Sequence, residues 1–277
     1  MFAARPTPPD RITSLHNPRI KDILRLQEKS AERRRQGLTL VEGYRELTNA
    51  RQAGWVVATL LVCEELAGPD LARQLLAPAQ QVPRLYEYLP VSAAVFAKLA
   101  VRERSDGVLA VLHTPRHTLA DLALPPNPLL IVLEAVEKPG NLGAILRTAD
   151  AAPAHAVLVG DPRTDLYNPN VIRASLGGIF TVPTVAAPMA DILAFLREKG
   201  IRTFAAALAD EARSYTATSF SGPTALVLGT EADGLTLATR AVCNETVIIP
   251  MRGVLDSLNV SVAAAVLTFE AVRQRGQ

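Results

Sequence analysis

The stretch IIPMRGVLDSLNVSVAAAVLTFEAVRQ, residues 248–274, decides the fold of this chain. A short β-branched strand, Ile248-Ile249, stops at Pro250, and a glycine-containing loop follows it. Residues 257–259, Ser-Leu-Asn, then open a long apolar helix over 257–274. Because a helix N-terminus presents unpaired backbone N–H groups, a strand, a loop and a polar helix entrance together predict a ligand site.

Two earlier segments repeat this arrangement. VEKPGNLGAILRTAD, residues 136–150, leaves a strand through a Pro-Gly pair and starts a helix, and LVLGTEADGL, residues 226–235, leaves a strand through a glycine. Apolar strands that alternate with helices favour a parallel sheet buried on both faces, and such sheets bind ligands outside the carboxyl ends of their strands. The polar residues that fall at those ends are Asn141, Arg147, Glu231, Ser257 and Asn259.

Each of these residues also has a purely structural explanation. Asn141, Ser257 or Asn259 could cap a helix, Glu231 could do the same after its glycine, and Arg147 could face solvent. Arg147 lies within GAILRTADAA, however, where apolar neighbours leave few exposed positions. This context predicts a buried arginine with an anionic partner. Five separate structural explanations at one edge of one sheet are less economical than a single site.

The composition excludes several classes of protein. The 277 residues are 49% hydrophobic and 20% charged, as in a globular protein of one large or two modest domains. No apolar run could span a membrane, and MFAARPTPPD lacks the apolar core of a signal peptide, which predicts a cytoplasmic protein. Cys63 and Cys243 are expected to be buried, reduced thiols, and four scattered histidines lack metal-ligand spacing, so no metal is expected.

Helix and strand patterns divide the chain into two α/β domains, residues 1–112 and 129–277. The proline-rich segment 113–128 between them is predicted to be an irregular linker. The first helix is predicted from Asn17-Pro18 to about Arg35. Strands of the second domain are predicted at 129–136, 155–160, 181–185, 202–208, 224–229 and 246–250, with helices near 141–151, 168–178, 190–199, 236–243 and 257–274.

Basic residues are concentrated at the N-terminal end. The net charge of +2 is small, but residues 1–35 hold nine Lys and Arg against four Asp and Glu, whereas residues 113–277 hold thirteen against fifteen. A basic helix can bind RNA phosphates, although such a run is more often a solvated helix face. The candidate RNA-binding residues are Arg25, Lys29, Arg33, Arg34 and Arg35.

The three segments together resemble the motifs of the SpoU (TrmH-type) branch of the SPOUT RNA methyltransferases. Family members carry an Asn and then an Arg in motif 1, Gly-x-Glu in motif 2 and Ser-x-Asn after Ile-Pro in motif 3. This chain has Asn141 and Arg147, then Gly229-Thr230-Glu231, then residues 257–259. The resemblance covers about residues 129–274, and the N-terminal hundred residues resemble a ribosomal-protein-like substrate-binding domain. Glu134 to Pro139 stand where many relatives have an Asp-containing loop.

The resemblance implies S-adenosylmethionine as methyl donor, a deep trefoil knot in the C-terminal domain and a homodimer formed by that domain. General topology rules would have argued against the knot. The cofactor is expected in loops 208–210, 229–234 and 249–259, where Gly229 would let the backbone approach it closely. The cofactor-binding residues implied are Leu208, Gly229, Ile249 and Leu258. Apolar residues of the last helix that could serve the dimer or the core are Val262, Ala263, Val266, Leu267 and Phe269.

The resemblance also implies that Arg147 acts as the base that accepts the ribose proton. A free guanidinium stays protonated, which leaves two routes: a substrate phosphate takes the proton while Arg147 orients it, or the site depresses the pKa strongly. We favour the first. Asn141, Ser257 and Asn259 would fix the ribose or Arg147, and Glu231 would organise the loops or hold Arg147.

The predicted function is therefore S-adenosylmethionine-dependent ribose 2′-O-methylation of RNA, with ribosomal RNA as the expected substrate. Three alternatives remain at this point: a tRNA methyltransferase, an RNA-binding assembly factor of the same fold without catalysis, and a nicotinamide-binding Rossmann enzyme. The last is disfavoured because KPGNLG, residues 138–143, lacks the G-x-G-x-x-G spacing, although Asp161 follows a strand as a ribose-binding acid would.

Overall fold

The structure is a computed structural model that describes residues 10–81, 85–102, 104–209 and 211–276. The chain divides into two compact units. The N-terminal unit ends at Pro115 and also takes in Tyr167–Pro169, and the C-terminal unit comprises Arg116–Leu166 and the chain from Asn170 onward. The boundary lies inside the predicted 113–128 linker. No helix of the described residues has both the length and the apolar character needed to cross a membrane.

The N-terminal unit is a four-stranded sheet with helices around it. Its strands are β1 (Leu38–Glu42), β2 (Val57–Val62), β3 (Glu87–Pro90) and β4 (Val108–His113), in the order β1-β4-β2-β3. The central strand β4 is antiparallel to both neighbours, whereas β2 and β3 are parallel. The helices are α1 (Pro18–Glu28), α2 (Ser30–Gln36), α3 (Tyr44–Gln52), α4 (Glu64–Ala67), α5 (Pro69–Gln81) and α6 (Ala93–Leu99).

The predicted helix over 18–35 is wrong in one respect, because it consists of two helices. Lys29 between them has an extended backbone, with φ −110° and ψ 110°. The Arg33 guanidinium donates hydrogen bonds to the carbonyl groups of Leu26 (2.6 Å) and Gln27 (3.0 Å). The second helix therefore folds back to satisfy carbonyls that the first helix leaves unpaired at its C-terminal end.

The C-terminal unit contains a seven-stranded sheet in which every recorded pairing is parallel. The strands are β5 (Leu129–Glu134), β6 (Ala156–Gly160), β7 (Thr184–Ala187), β8 (Arg202–Ala206), β9 (Arg213–Ser214), β10 (Thr224–Leu228) and β11 (Glu245–Ile248), in the order β7-β6-β5-β10-β8-β11-β9. All residues of β5, β6 and β10 are buried, as expected for strands covered on both faces. The helices are α7 (Pro139–Ala151), α8 (Pro169–Ser175), α9 (Gly178–Thr181), α10 (Met189–Glu198), α11 (Leu237–Val242) and α12 (Val260–Gln274).

Three details of this unit differ from the sequence prediction. The short edge strand β9 was not predicted. The helix expected over 168–178 breaks between α8 and α9, where Leu176 and Gly177 have φ of 51° and 104°. Gly178 then packs against α7 so closely that a Cβ there would lie 2.8 Å from the Leu146 carbonyl oxygen. The last helix begins at Val260 rather than at residue 257.

Segment 113–128, predicted to be an irregular linker, contains local structure and packs against the C-terminal unit. A 3₁₀ turn at Leu119–Asp121 is closed by a capping box between Thr118 and Asp121. Three leucines of this segment pack against the core that β5, β6, β8, β10 and α10 share, and they are Leu119, Leu122 and Leu124. The prolines therefore exclude regular helix and strand, as predicted, while the leucines attach the segment to the C-terminal unit.

Both ends of α12 are fixed by side chains. At its start the Asn259 side chain accepts a hydrogen bond from the backbone N–H of Ser261 (2.9 Å). At its end the guanidinium of Arg275 donates to four backbone carbonyls, and burial lowers the pKa of this group. The acceptors are Phe220 (3.0 Å), Asn127 (3.0 Å), Pro128 (3.1 Å) and Gly222 (2.6 Å).

Candidate active site

A cavity of about 350 Å³ lies at the carboxyl ends of β8, β10 and β11, which are neighbours in the sheet. The loops that leave these strands form its walls, together with residues 256–258 and the first two turns of α12. All four residues predicted to bind the cofactor line it, namely Leu208, Gly229, Ile249 and Leu258. The fold thus brings together residues from Ala206 to Leu267.

Packing within its own loop leaves no room for a side chain at Gly229. A Cβ at this position would lie inside the van der Waals envelope of the Gly234 carbonyl group and of the Leu235 nitrogen. Thr230 and Gly234 exchange backbone hydrogen bonds of 3.0 and 3.1 Å, which close the loop over Gly229. The glycine therefore lets the loop fold on itself.

A buried carboxylate anchors the far end of the same loop. Glu134, at the end of β5, is 5% exposed. It accepts hydrogen bonds from the backbone N–H of Thr236 (2.8 Å), from the Thr236 hydroxyl (2.8 Å) and from the Thr239 hydroxyl (2.5 Å). These bonds fix the start of α11 and hence the exit of loop 229–235. In the sequence Glu134 stands out only as part of a departure from the family's motif, and nothing local to it signals this anchoring role.

Three of the predicted catalytic residues form one hydrogen-bonded cluster beside the cavity. The Asn259 side-chain amide donates to Asn141 Oδ1 (3.2 Å) and to the Glu231 carboxylate. Lys138 forms an ion pair with the other oxygen of Glu231. The hydrogen bond from Lys138, followed by the one with Asn141, holds the pKa of Glu231 below its usual value. The cluster therefore joins the three motif segments around an ionised carboxylate.

Ser257 is not part of this cluster. It lines the cavity, is exposed, and donates its hydroxyl hydrogen to Asp256 Oδ1 (3.1 Å). Because Asn259 caps α12, Ser257 lies in the loop before the helix rather than at its entrance. The prediction that the last helix opens at Ser257 is therefore wrong.

Arg147 does not occupy the buried position that its apolar neighbours suggested. It is exposed, and within the described part of the chain it has no hydrogen bond or ion pair through its guanidinium. Asn141 and Arg147 are six residues apart, which at about 100° per residue places them on different faces of α7. Glu231 binds Lys138 instead of Arg147. Arg147 therefore remains available to an external anion.

The basic residues of α1 and α2 are not equivalent. Arg33 is 3% exposed and bound to backbone carbonyls, so the prediction that it binds RNA is wrong. Arg25 pairs with Asp22, and Arg35 pairs with Glu32 through two nitrogens. Lys29 and Arg34 are exposed, and neither has an ion-pair partner among the described residues. Lys29 and Arg34 are therefore the best candidates for phosphate contacts in this region.

A larger cavity, of about 740 Å³, lies beside α10 and α11. Glu134 lines it, but none of the predicted catalytic or cofactor-binding residues does. The smaller cavity is the candidate site because the three motif segments converge there. Among the described residues no group of three or more His, Cys, Asp and Glu side chains could hold a metal ion.

Comparison with known proteins decides the family. A model described as the SpoU rRNA methylase family matches residues 128–269, and one described as an MRM3-like substrate-binding domain matches residues 17–110. The chain belongs to the SpoU rRNA methylase family. The predicted resemblance is thereby confirmed.

Relatives from two bacteria match nearly the whole chain. The 23S rRNA (uridine(2479)-2'-O)-methyltransferase of Streptomyces viridochromogenes is 31% identical, with 97% of this chain and 94% of that protein covered. The 23S rRNA (guanosine(2553)-2'-O)-methyltransferase RlmP of Bacillus subtilis is 30% identical, with 94% and 98% covered. The similarity of this SpoU chain to these two rRNA methyltransferases therefore extends over both of its domains.

Solved structures of RNA methyltransferases superpose on this chain over almost its whole length. An AdoMet-bound rRNA methyltransferase from Sinorhizobium meliloti superposes with a TM-score of 0.86 at 28% identity, covering 95% of this chain and 97% of that one. An RNA 2'-O ribose methyltransferase superposes with a TM-score of 0.82 at 41% identity, covering 97% and 100%. These similarities confirm the predicted methyltransferase fold. They also confirm the prediction that the chain is an S-adenosylmethionine-dependent enzyme.

The residues of the candidate site fit S-adenosylmethionine. Leu208, Ile249 and Leu258 supply apolar surface for an adenine ring, and the volume of about 350 Å³ is within the range of small-molecule sites. The lining also contains three carboxylates, Glu231, Asp233 and Asp256, which suit a ligand with a positively charged sulfur. These residues would hold the cofactor and no metal is needed to explain them.

Proposed function

We propose that this protein transfers the methyl group of S-adenosylmethionine to a ribose 2′-hydroxyl of ribosomal RNA. One observation carries the proposal: the four predicted cofactor residues line one cavity, and the Asn141–Glu231–Asn259 cluster lies beside it. Bound S-adenosylmethionine supplies a methyl group on a positively charged sulfur. The names of the full-length relatives support ribosomal RNA as the substrate, and the site of action would be the cytoplasm.

The residues of the chain would bind and orient rather than donate electrons. The residues that line the cavity at 206–208, 228–235, 247–249 and 256–258 would hold the cofactor, and Ile249 and Leu258 would supply apolar surface for its adenine. The Arg147 guanidinium, which has no partner among the described residues, can pair with a phosphate next to the target ribose and orient it. The proton of the 2′-hydroxyl passes to that phosphate, since a guanidinium stays protonated. The Asn259 cluster fixes the loops, and Ser257 remains free to contact the ribose.

We also propose that two copies pair through the C-terminal domain, residues 129–277. Val262 and Phe269 on α12 are 47% and 49% exposed, and α12 packs against α7, which carries Arg147. An interface formed by these two helices would cover the apolar side chains and carry Arg147 towards the cavity of the second copy. The trefoil knot implied by the family belongs to this proposal as well. Light scattering should give a dimer mass, and Phe269→Asp should lower it to that of a monomer.

The N-terminal domain, residues 1–112, would bind RNA. Lys29 and Arg34 have no ion-pair partner in the described parts of the chain, and Arg25 and Arg35 could exchange their carboxylate partners for phosphates. In this arrangement one domain holds the RNA and the other carries the chemistry.

A transfer assay tests the proposal directly. Purified protein is incubated with methyl-labelled S-adenosylmethionine and either ribosomal RNA or tRNA, and label in RNA is counted. We expect transfer to ribosomal RNA, and Arg147→Ala should reduce it by orders of magnitude with cofactor affinity nearly unchanged. Arg197→Ala, an exposed arginine on α10, is the matched control and should behave like the wild type. Transfer to tRNA alone, or full activity of Arg147→Ala, would refute the proposal as stated.

A further inference from the structure

The lining of the candidate cavity contains one cationic residue among three acidic ones. Arg240, in the last turn of α11, is half-buried and lines the cavity together with Glu231, Asp233 and Asp256. No ion pair or side-chain hydrogen bond involves its guanidinium among the described residues. The motifs that define the family do not include this position, and sequence analysis did not single it out.

Two of the three acidic residues in the lining already have hydrogen-bond or ion-pair partners. Glu231 binds Lys138 and Asn259, and Asp256 accepts the Ser257 hydroxyl. Asp233 has its backbone N–H bound to Thr230 (3.0 Å), and its carboxylate has no partner in the described structure. A free cation and a free anion in one lining suit a ligand that itself carries both charges.

S-adenosylmethionine carries such a pair at its amino-acid end. The adenosine half is largely apolar and uncharged, so the charged half needs a separate recognition element. A carboxylate in a partly dry cavity is bound best by a guanidinium, which can donate two parallel hydrogen bonds. Among the described residues of the lining, Arg240 carries the single guanidinium.

We propose that Arg240 binds the α-carboxylate of the cofactor's amino-acid end, with Asp233 facing its ammonium group. This inference rests on the proposed function, because it assumes that the cavity holds S-adenosylmethionine. It assigns a specificity-determining residue outside the three family motifs. It also explains why α11 must be fixed so firmly by Glu134, since any movement of α11 would displace Arg240.

Two ligands that differ only in the amino-acid end make the test. S-adenosylhomocysteine carries the carboxylate and ammonium, whereas 5′-methylthioadenosine keeps the adenosine and the thioether without them. Calorimetry measures the affinity of the wild type, Arg240→Ala and Arg240→Lys for each ligand. We expect Arg240→Ala to weaken S-adenosylhomocysteine about tenfold and to leave methylthioadenosine unchanged. Arg240→Lys should fall between, since an ammonium cannot make the bidentate contact.

Matched controls separate the outcomes. Arg252→Ala removes an exposed arginine of the neighbouring loop that does not line the cavity, and it should bind both ligands like the wild type. Circular dichroism melting establishes that each variant is folded. Equal weakening of both ligands, or no weakening of either, would overturn the inference, as would loss of RNA binding with unchanged affinity for S-adenosylhomocysteine. A wild type that binds neither ligand would instead refute the proposed cofactor site.

Discussion

Asn259 shows how one residue can serve stability and function together. Its carbonyl oxygen accepts from the Ser261 N–H and hydroxyl, at 2.9 and 2.6 Å, and so caps α12. Its amide nitrogen donates to Asn141 and Glu231. The sequence offered capping and catalysis as alternatives, and the structure assigns the capping part and places the residue within the cluster. A single side chain therefore couples the start of α12 to both other motif segments.

The two halves of the Asn259 side chain can be separated by mutation. Asn259→Ser keeps a capping oxygen and removes the amide donors, so we expect nearly wild-type stability and a large loss of methyl transfer. Asn259→Ala removes both, and it should lower the free energy of unfolding by about 1 kcal/mol as well. Chemical denaturation and the transfer assay measure the two effects. Equal stability of the two variants would show that the cap contributes nothing.

The ion pair between Lys138 and Glu231 predicts how the stability of the protein depends on pH. The pKa of Glu231 is lowered, chiefly by Lys138. The stabilisation from this pair is therefore complete above the usual carboxyl pKa and is lost as the pH falls through the lowered value. Lys138→Gln should move the Glu231 titration upward, towards the usual range, whereas Lys138→Arg should leave it low. Carbon NMR of the carboxyl group reports the midpoint, and identical midpoints in the wild type and Lys138→Gln would contradict the assignment.

At the scale of elements, loop 229–235 is held at both ends. Gly229 packs beneath Gly234, and Glu134 binds the residues that follow the loop. The position of this loop could be predicted from its motif, because strand, glycine and acid follow one another in sequence. Its anchor could not, because Glu134 lies about a hundred residues away and only the pairing of β5 with β10 brings it near.

The tight packing at Gly229 gives a sharp comparison between glycines. Gly229→Ala forces a methyl group into the Gly234 backbone, and we expect a loss of about 2 kcal/mol of stability together with weakened cofactor binding. Gly253→Ala, in the loop before α12, places its methyl group in open space at an ordinary φ. It should change neither property. Thermal denaturation and calorimetry suffice, and a Gly229→Ala protein as stable as Gly253→Ala would show that the loop can yield.

The break between α1 and α2 gives the basic residues of this region different roles. Arg33→Ala removes the donor to two carbonyls, so it should destabilise the N-terminal domain by about 2 kcal/mol without changing the salt dependence of RNA binding. Changing Lys29 and Arg34 together to Ala should do the reverse, since fewer counterions are then released. Binding titrations at several salt concentrations, beside denaturation curves, compare the two. The assignment fails if Arg33→Ala flattens the salt dependence while the double variant does not.

For the whole molecule, the sequence predicted the α/β fold and the sheet edge at which the candidate cavity lies. Buried apolar strands and helix starts are local signals, and the order of the motifs supplied the family. The solvent exposure of individual side chains was harder to predict. Arg147 among apolar neighbours proved exposed because it lies on a helix face that packing leaves uncovered, and Arg33 in a basic run proved buried because the break at Lys29 turns it onto carbonyls of α1. The knot and the dimer remain predictions, since both concern the path or the pairing of the complete chain.

The central claim is that this chain methylates ribose in ribosomal RNA. Mapping 2′-O-methylated riboses in the RNA of cells with the wild-type gene, without it, and with the Arg147→Ala variant tests this claim most directly. We predict that one ribose of ribosomal RNA is methylated in the wild type and unmethylated in the other two. Unchanged ribosomal RNA in the absence of the protein, or a lost methyl group in tRNA alone, would contradict the account.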